Sequence, residues 1–529
     1  MNSFALKNPL ALVAAAALTW GAAMPAHADD DEGEGLWLSA GQNTSNTRFQ
    51  SEEERISPSN AARLGPKWIF STGGEVSATP AVDGKRVYVP DWKGNLYAVD
   101  RKTGTQIWST TIASATGVPN DFARATPAVS GNRIVVGTQG KSGGGGNLLA
   151  YDASTGALLW KTKLDSNPFA IITQSATISD GVVYVGVASG EEGVAAFVPG
   201  YPCCSFRASM AAVDLASGKI LWQTYMVPTG FSGGAIWGSS PAVDAKRKQV
   251  YVATGNNYSV PPATLACVAS AGSNVAAIKA CIPADNLVDS IVALDLKTGK
   301  RKWSTATLPF DAWTVGCLFG AFGPNCPQPA GPDYDFGQAP ALFSVKGLGD
   351  LKELVGAGQK SGQYWALNPD TGAVKWVSQA GPGGTGGGLQ WGSAVDDKRI
   401  YTANSNSNGR PTMVRGTTVN SGVWSALDKA TGAVIWQQTT PSGRTGGLLG
   451  TTSGPVTTAN GVVFGCSLDA LGYMYAMDAA TGAILWEYAS GGSCLSGAAV
   501  SKGEVFWGSG YTNFGAGTFN NKLYAFEIK

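Results

Sequence analysis

Ala98-Val99-Asp100-Arg101-Lys102-Thr103-Gly104-Thr105-Gln106-Ile107-Trp108 carries a pattern, A-x-D-x-x-x-G-x-x-x-W, that returns along the chain. It recurs at Ala150…Trp160, Ala212…Trp222, Ala293…Trp303, Ala366…Trp376, Ala426…Trp436 and Ala476…Trp486, with Asn368 replacing the Asp in one copy. Each copy reads as a β-hairpin. The Asp and the Thr-Gly or Ser-Gly step make the turn, because Gly accepts φ > 0 without steric cost. One Trp per unit can pack its ring between neighbouring sheets and leaves its indole N–H free to find a partner.

Between copies lie further strand pairs, such as Ala78-Thr79-Pro80-Ala81-Val82-Asp83-Gly84 followed by Val87-Tyr88-Val89. Four strands per unit repeated radially make a β-propeller, an all-β fold. An eighth unit is split between the two ends of the chain. Asn521–Lys529 supplies a Leu-Tyr-Ala strand, and Gly65-Pro66-Lys67-Trp68-Ile69-Phe70 supplies the Trp strand without its partner. Pairing them closes an eight-bladed ring and removes the exposed sheet edges. The expected organisation is a leader over 1–28 and one propeller domain over 29–529. The excess length falls in long loops at 257–289 and 304–340, where function concentrates on a rigid scaffold.

Composition agrees with this reading. Charged residues are 14% of 529, Gly numbers 71 and Trp 17, which suits many short strands and tight turns rather than long helices. Lys+Arg of 38 against Asp+Glu of 37 gives no basic excess for nucleic acid. Lys7, the apolar run Pro9–Leu18 and Ala26-His27-Ala28 before Asp29 have the form of a secretory signal peptide, so a periplasmic protein without a membrane anchor is expected. The single histidine, His27, lies inside that leader. A Ser-His-Asp triad, a His-ligated zinc and a C-x-x-C-H haem attachment are therefore excluded beyond it. Eight cysteines in an exported chain read as disulfides. Proximity suggests Cys267–Cys281, Cys317–Cys326 and Cys466–Cys494, which leaves Cys203 and Cys204 adjacent to each other.

The Trp-bearing eightfold repeat resembles that of the pyrroloquinoline quinone (PQQ)-dependent alcohol dehydrogenases. So does the opening Trp37-Leu38-Ser39-Ala40-Gly41-Gln42-Asn43-Thr44-Ser45-Asn46-Thr47-Arg48-Phe49, and the likeness covers nearly all of 29–529. The run Cys203-Cys204-Ser205-Phe206-Arg207 is similar to the polyvinyl alcohol dehydrogenase branch. The resemblance implies a vicinal Cys203–Cys204 disulfide packed on one face of PQQ, with Trp237 on the other. It also implies a Ca²⁺ ion held by oxygen ligands from Glu191, Asn256 and Asp335. Glu192 is the adjacent alternative to Glu191. Asp335 doubles as catalytic base, with Asp333 and Asp311 as alternatives. Lys360 takes the place of the cation beside the reactive carbonyl, and Arg124, Thr173 and Asn404 become cofactor contacts, Arg through its two-pronged fit to a carboxylate. The family's lanthanide marker Asp falls where Gly337 stands, so Ca²⁺ is the expected metal, with a lanthanide left open.

The implied activity is oxidation of a secondary alcohol, polyvinyl-alcohol-like polymers included, to a ketone, with electrons passing to a separate soluble cytochrome c. In it Asp335 accepts the hydroxyl proton. Two other readings stand beside it. One is a non-catalytic propeller scaffold resembling outer-membrane assembly lipoproteins; the other is a quinoprotein dehydrogenase for small primary alcohols, sugars or xenobiotics. The Gly-rich stretches Gly381…Gly388 and Gly446-Gly447 suit an uncharged substrate without naming it.

Overall fold

The computed structural model describes Met1 and residues 35–140, 144–320, 323–441, 450–515 and 517–529. The leader expected over 1–28 and the Gly446-Gly447 stretch lie outside the described residues, Met1 apart. Seven blades occupy 81–111, 128–163, 177–225, 242–306, 341–379, 394–439 and 457–489, numbered one to seven here, each with four antiparallel strands. In blade eight, Ala499–Ser501, Glu504–Gly508 and Lys522–Ile528 are completed by Leu64–Ser71, with Trp68 opposite Ala525. The ring is closed by both ends of the chain, as the split repeat requires.

The repeat explains how blades join. The indole N–H of Trp160 donates to the Leu215 carbonyl of the next blade at 2.9 Å, and that of Trp222 to Leu296 at 2.8 Å. Trp68, Trp108, Trp303, Trp436 and Trp486 do the same at 2.9–3.0 Å, and Trp486 reaches Leu64 across the closure. Trp376 is the exception, its N–H having no partner among the described residues. The turn Gly of each repeat lies under the preceding blade's Trp. A Cβ on Gly218, which has φ +73°, would meet the Trp160 ring at 2.7 Å. That Gly is therefore required both by its own backbone and by its neighbour's indole.

The opening segment does more than begin the chain. Its carbonyls accept the inner-strand N–H groups of successive blades: Leu38 from Val129, Thr44 from Val243, Ser45 from Leu342, Thr47 from Val395 and Arg48 from Thr458, at 2.7–3.0 Å. Trp37 pairs with Val82 of blade one, and the Gln50 amide reaches Val500 of blade eight. Phe49–Gln50 adds a short parallel strand to blade seven. Residues 37–50 thus form a floor across the central channel and tie seven blades together.

The two long loops are locally built and clipped. Helices Pro262–Ala271 and Val275–Ala280 are joined by Cys267–Cys281, and the 3-10 turn Val315–Phe319 is held by Cys317–Cys326. Cys466–Cys494 ties blade seven to the lead-in of blade eight. All three proximity pairs form. Among the described residues no helix is long and apolar enough to cross a membrane.

Two glycines separate the demands on the repeat. Gly218 and Gly181 share φ of +73° and +72°, but a Cβ on Gly181 meets nothing within 4 Å. Gly181→Ala is expected to cost about 1 kcal/mol, the left-handed backbone term alone, and Gly218→Ala about 1–3 kcal/mol more. Guanidinium unfolding of both variants reads the difference; equal losses would remove the indole contact from the argument.

Candidate active site

The segments leading into the inner strands converge around a cavity of about 330 Å³. Blade two supplies Arg124, blade three Thr173, blade four Trp237, blade five Asp333 and Asp335, and blade six Trp391. Lys360 enters from the turn after Leu351–Gly358, and Glu192 from the first turn of helix Glu191–Phe197.

Asp335 sits at the centre of a fixed set of donors. Its Oδ1 accepts the Asn256 backbone N–H at 2.7 Å, and its Oδ2 accepts the Trp237 indole N–H at 3.1 Å. Lys360 Nζ lies 3.2 Å from the same Oδ2 and donates to Asp333 Oδ1 at 2.8 Å. Gly255 permits this closeness, since a Cβ there would stand 2.6 Å from Asp335 Oδ1. The lysine stays protonated: burial acts against its charge, but Asp333, Asp335 and Glu192 together raise its pKa. Burial pushes the Glu192 carboxyl up to about 7, with Asp335 adding and Lys360 opposing. Burial likewise drives Asp333 well above the carboxylate range, although Lys360 pulls the other way.

Burial and mutual repulsion thus work against ionising the carboxyls together beside a single ammonium, and a hard cation is the kind of group that would let them ionise. Asn256 adds an oxygen. Its amide NH₂ is spent on the carbonyls of Asn257 and Trp313, both at 2.8 Å, which leaves the Oδ1 end for a metal. Among the described residues no three acidic or soft ligands close a metal cluster by themselves. Glu192, Asn256 and Asp335 are nonetheless oxygen donors of the kind a hard cation takes.

The remaining walls fit a flat anionic ligand. Trp237 and Trp391 meet edge to face with centroids 5.0 Å apart, and Ile171, Ala188, Trp313 and Val315 give apolar surface. The Arg124 guanidinium is stacked between Trp391 at 4.6 Å and Trp92 at 5.0 Å, a cation held rigidly at the cavity wall. Thr173 lines the same wall.

Five of the groups read from the sequence lie outside the cavity's lining: Asn256, whose N–H reaches Asp335, and the four that follow. Glu191 does not face the cavity. Its carboxylate is fully buried and accepts from the Tyr201 hydroxyl at 2.7 Å, from Ser205 N–H at 2.9 Å and from Phe206 N–H at 2.8 Å, so it pins the loop carrying Cys203 and Cys204. Its neighbour Glu192 lines the cavity instead. Asn404 is also turned to structure: its NH₂ donates to the Pro382 carbonyl at 2.9 Å and its oxygen accepts the Asn406 N–H at 3.0 Å. Asp311 accepts the backbone N–H groups of Asp333 and Tyr334, and so shapes the segment that presents Asp333 and Asp335. Cys203 and Cys204 form the vicinal disulfide across a cis peptide, but neither is among the residues lining the cavity.

The sequence reading missed Trp391. Its signal was present: Trp391-Gly392-Ser393 repeats Trp237-Gly238-Ser239, each just before an inner strand, Ala394–Val395 and Ala242–Asp244. Tyr258, Trp313 and Tyr511 also line the cavity and carry no comparable pattern.

Comparison with known proteins places this geometry. The family model described as outer membrane protein assembly factor BamB matches residues 27–305, 349–467 and 419–529. A polyvinylalcohol dehydrogenase of Sphingopyxis sp. (strain 113P3) is 32% identical over 74% of this chain and 57% of its own length. One of Pseudomonas sp. is 31% identical over 69% and 54%. The chain thus spans little more than half the length of these relatives. The crystal structure of quinohemoprotein alcohol dehydrogenase from Comamonas testosteroni superposes with a TM-score of 0.68 at 19% identity, over 94% of this chain and 81% of that one, which supports the fold. The chain belongs to the propeller family of the BamB model, and its likeness within that family is to the PQQ-dependent alcohol dehydrogenases, the polyvinyl alcohol dehydrogenases among them.

Proposed function

We propose that the protein is an exported PQQ- and Ca²⁺-dependent alcohol dehydrogenase that oxidises secondary alcohols, polymeric ones included, to ketones. The observation that carries this reading is Asp335, buried at the cavity and held by Lys360, the Trp237 indole and the Asn256 N–H. When bound, PQQ supplies the two-electron acceptor and Ca²⁺ the Lewis acid that the chain's own side chains lack. Glu192, Asn256 and Asp335 would hold the cation. Arg124 and Thr173 would hold an acidic edge of the cofactor, with Trp237 as its wall.

Asp335 accepts the hydroxyl proton of the alcohol. Three donors on its two oxygens fix the carboxylate's direction, so its task is positioning more than basicity. Lys360 keeps a positive charge beside the reacting oxygen and orients Asp335 and Asp333 together. The indole walls and apolar residues exclude water from the proton transfer. Export to the periplasm and delivery of electrons to a soluble cytochrome c belong to the same reading. They are supported by the leader pattern over 1–28 and by the likeness to the PQQ-dependent alcohol dehydrogenases. The BamB description favours a second reading, a scaffold propeller, but a scaffold has no use for a lysine buried among three carboxyls.

The purified protein is expected to oxidise secondary alcohols with an electron-accepting dye only when both PQQ and Ca²⁺ are supplied. Asp335→Asn should lower kcat about 10²–10⁴-fold. No oxidation of any alcohol, with PQQ lost on gel filtration, would favour the scaffold.

The two neighbouring glutamates give a sharper test. Glu192→Gln is expected to weaken Ca²⁺ binding about tenfold or more by calorimetric titration, because it removes a charged ligand. Glu191→Gln is expected to lower thermal stability, by about 1–3 kcal/mol, and to leave Ca²⁺ affinity within about twofold. The reverse pattern would return the metal to Glu191.

A further inference from the structure

At the seam where the ring closes, a groove of about 900 Å³ lies between blade eight and blade one. The turn Lys502-Gly503 of blade eight and the turns Gly84-Lys85 and Asp100-Arg101-Lys102 of blade one form its walls. Seven basic side chains line it against three acidic ones, in a chain with 38 basic and 37 acidic residues overall. The chain carries a matching counter-charge. Asp29-Asp30-Asp31-Glu32-Gly33-Glu34 has five carboxylates and no cation, and it directly precedes Gly35. We infer that residues 29–34 of this same chain dock in the groove and clasp blade eight to blade one.

The acidic groups already at the groove are committed elsewhere. Glu504 is shared by Lys67 and by Arg101, the latter at 2.7 Å. Asp100 accepts the backbone N–H groups of Lys102 and Thr103 at 3.0 and 2.7 Å, and Glu527 pairs with Lys529 at 2.9 Å. Glu53, buried beside Arg55, gives one oxygen to the Arg55 and Ile56 N–H groups and the other to the Gly503 N–H at 2.8 Å. Arg55, Lys85, Lys102 and Lys502 are left exposed and form no ion pair among the described residues. Cations gathered on one surface repel one another, and an acidic segment laid among them relieves that repulsion.

The chain path delivers the acidic run to this place. Gly35 is seated on Lys502: its carbonyl accepts the Ser501 hydroxyl, and a Cβ on it would stand 3.1 Å from Lys502 Cγ. Two residues later Trp37 exchanges both backbone hydrogen bonds with Val82, just before the Gly84-Lys85 turn. The run therefore sets out from between the two turns that wall the groove. Six residues reach about 20 Å when extended, enough to lie along it. Exposed ion pairs are individually weak, at about 0–1 kcal/mol, but a tether at Gly35 holds the carboxylates at high effective concentration, so weak pairs suffice. The inference rests on neither the proposed activity nor removal of the leader, since the run precedes Gly35 in either case.

Carbodiimide coupling of the full chain provides the test, because the reagent condenses a carboxylate with an amine in contact with it. The amide links are mapped by mass spectrometry. Links from residues 29–34 to Lys85, Lys102 and Lys502 are expected at low ionic strength, and at least about fivefold fewer in 1 M sodium chloride, where the Debye length is about 3 Å. Arg55→Gln removes a cation that the reagent cannot couple. A drop of about twofold or more in links to Lys85 and Lys102 then reads lost attraction rather than a lost target. Converting the five carboxylates to amides (Asp29→Asn, Asp30→Asn, Asp31→Asn, Glu32→Gln and Glu34→Gln) should lower the thermal midpoint by about 1–3 °C at low salt and leave it unchanged in 1 M salt. Absence of links to these lysines, or links indifferent to both salt and Arg55→Gln, would overturn the inference. So would links that join separate chains in a mixture of light and isotopically heavy protein, which would give the groove to a second copy.

Discussion

The structure depends on one contact repeated around a ring: an indole N–H donated to the carbonyl of the next blade, over a glycine that has no side chain to obstruct it. Each such bond is modest, about 0.5–1.5 kcal/mol net, but it fixes direction as well as energy. The ring of Trp160, for example, must lie over Gly218 and reach Leu215, which sets the distance and angle between two blades. Repeated through the closure at Trp486 and Leu64, the contact makes the position of every inner strand a consequence of all the others. That rigidity lets seven separate lead-in segments be aimed at one axial cavity.

The floor completes what the indoles begin. Residues 37–50 lie inside the ring, where carbonyls of the segment satisfy inner-strand N–H groups that would otherwise face an open channel. The channel is thereby divided. Above the floor sit two buried guanidiniums, and above those a group of carboxyls around one lysine. Arg48 and Arg124 thus border a second, smaller cavity, and the carboxyls of Asp333, Asp335 and Glu192 the larger.

Several side chains that look catalytic act on the backbone instead. Glu191 spends both carboxylate oxygens on the loop that carries the vicinal disulfide, and Asp311 spends its own on the segment that presents Asp335. Asn404 braces the glycine-rich stretch at Gly381, whose Cβ would stand 2.5 Å from its amide. These groups hold the reacting ones in place. A polar residue in a loop near a site is as often needed for the loop's own unpaired N–H groups as for a ligand.

The sequence by itself determined the blade, because a blade is local. Turn chemistry, strand alternation and one Trp per unit repeat within eleven residues, and the three proximity disulfides each close short loops. It also placed Asp335, Lys360, Trp237, Asn256, Arg124 and Thr173 on segments that do converge, since all of them border strands whose positions the repeat sets. Only the tertiary structure decided between Glu191 and Glu192. The two open one helix, where successive side chains point about 100° apart, and which one faces the axis depends on how that helix packs against Val315–Phe319. The same holds for Trp391 and for Arg48, whose neighbours come from blades hundreds of residues away along the chain. Those contacts exist only once the ring has closed, and no short stretch of sequence contains them.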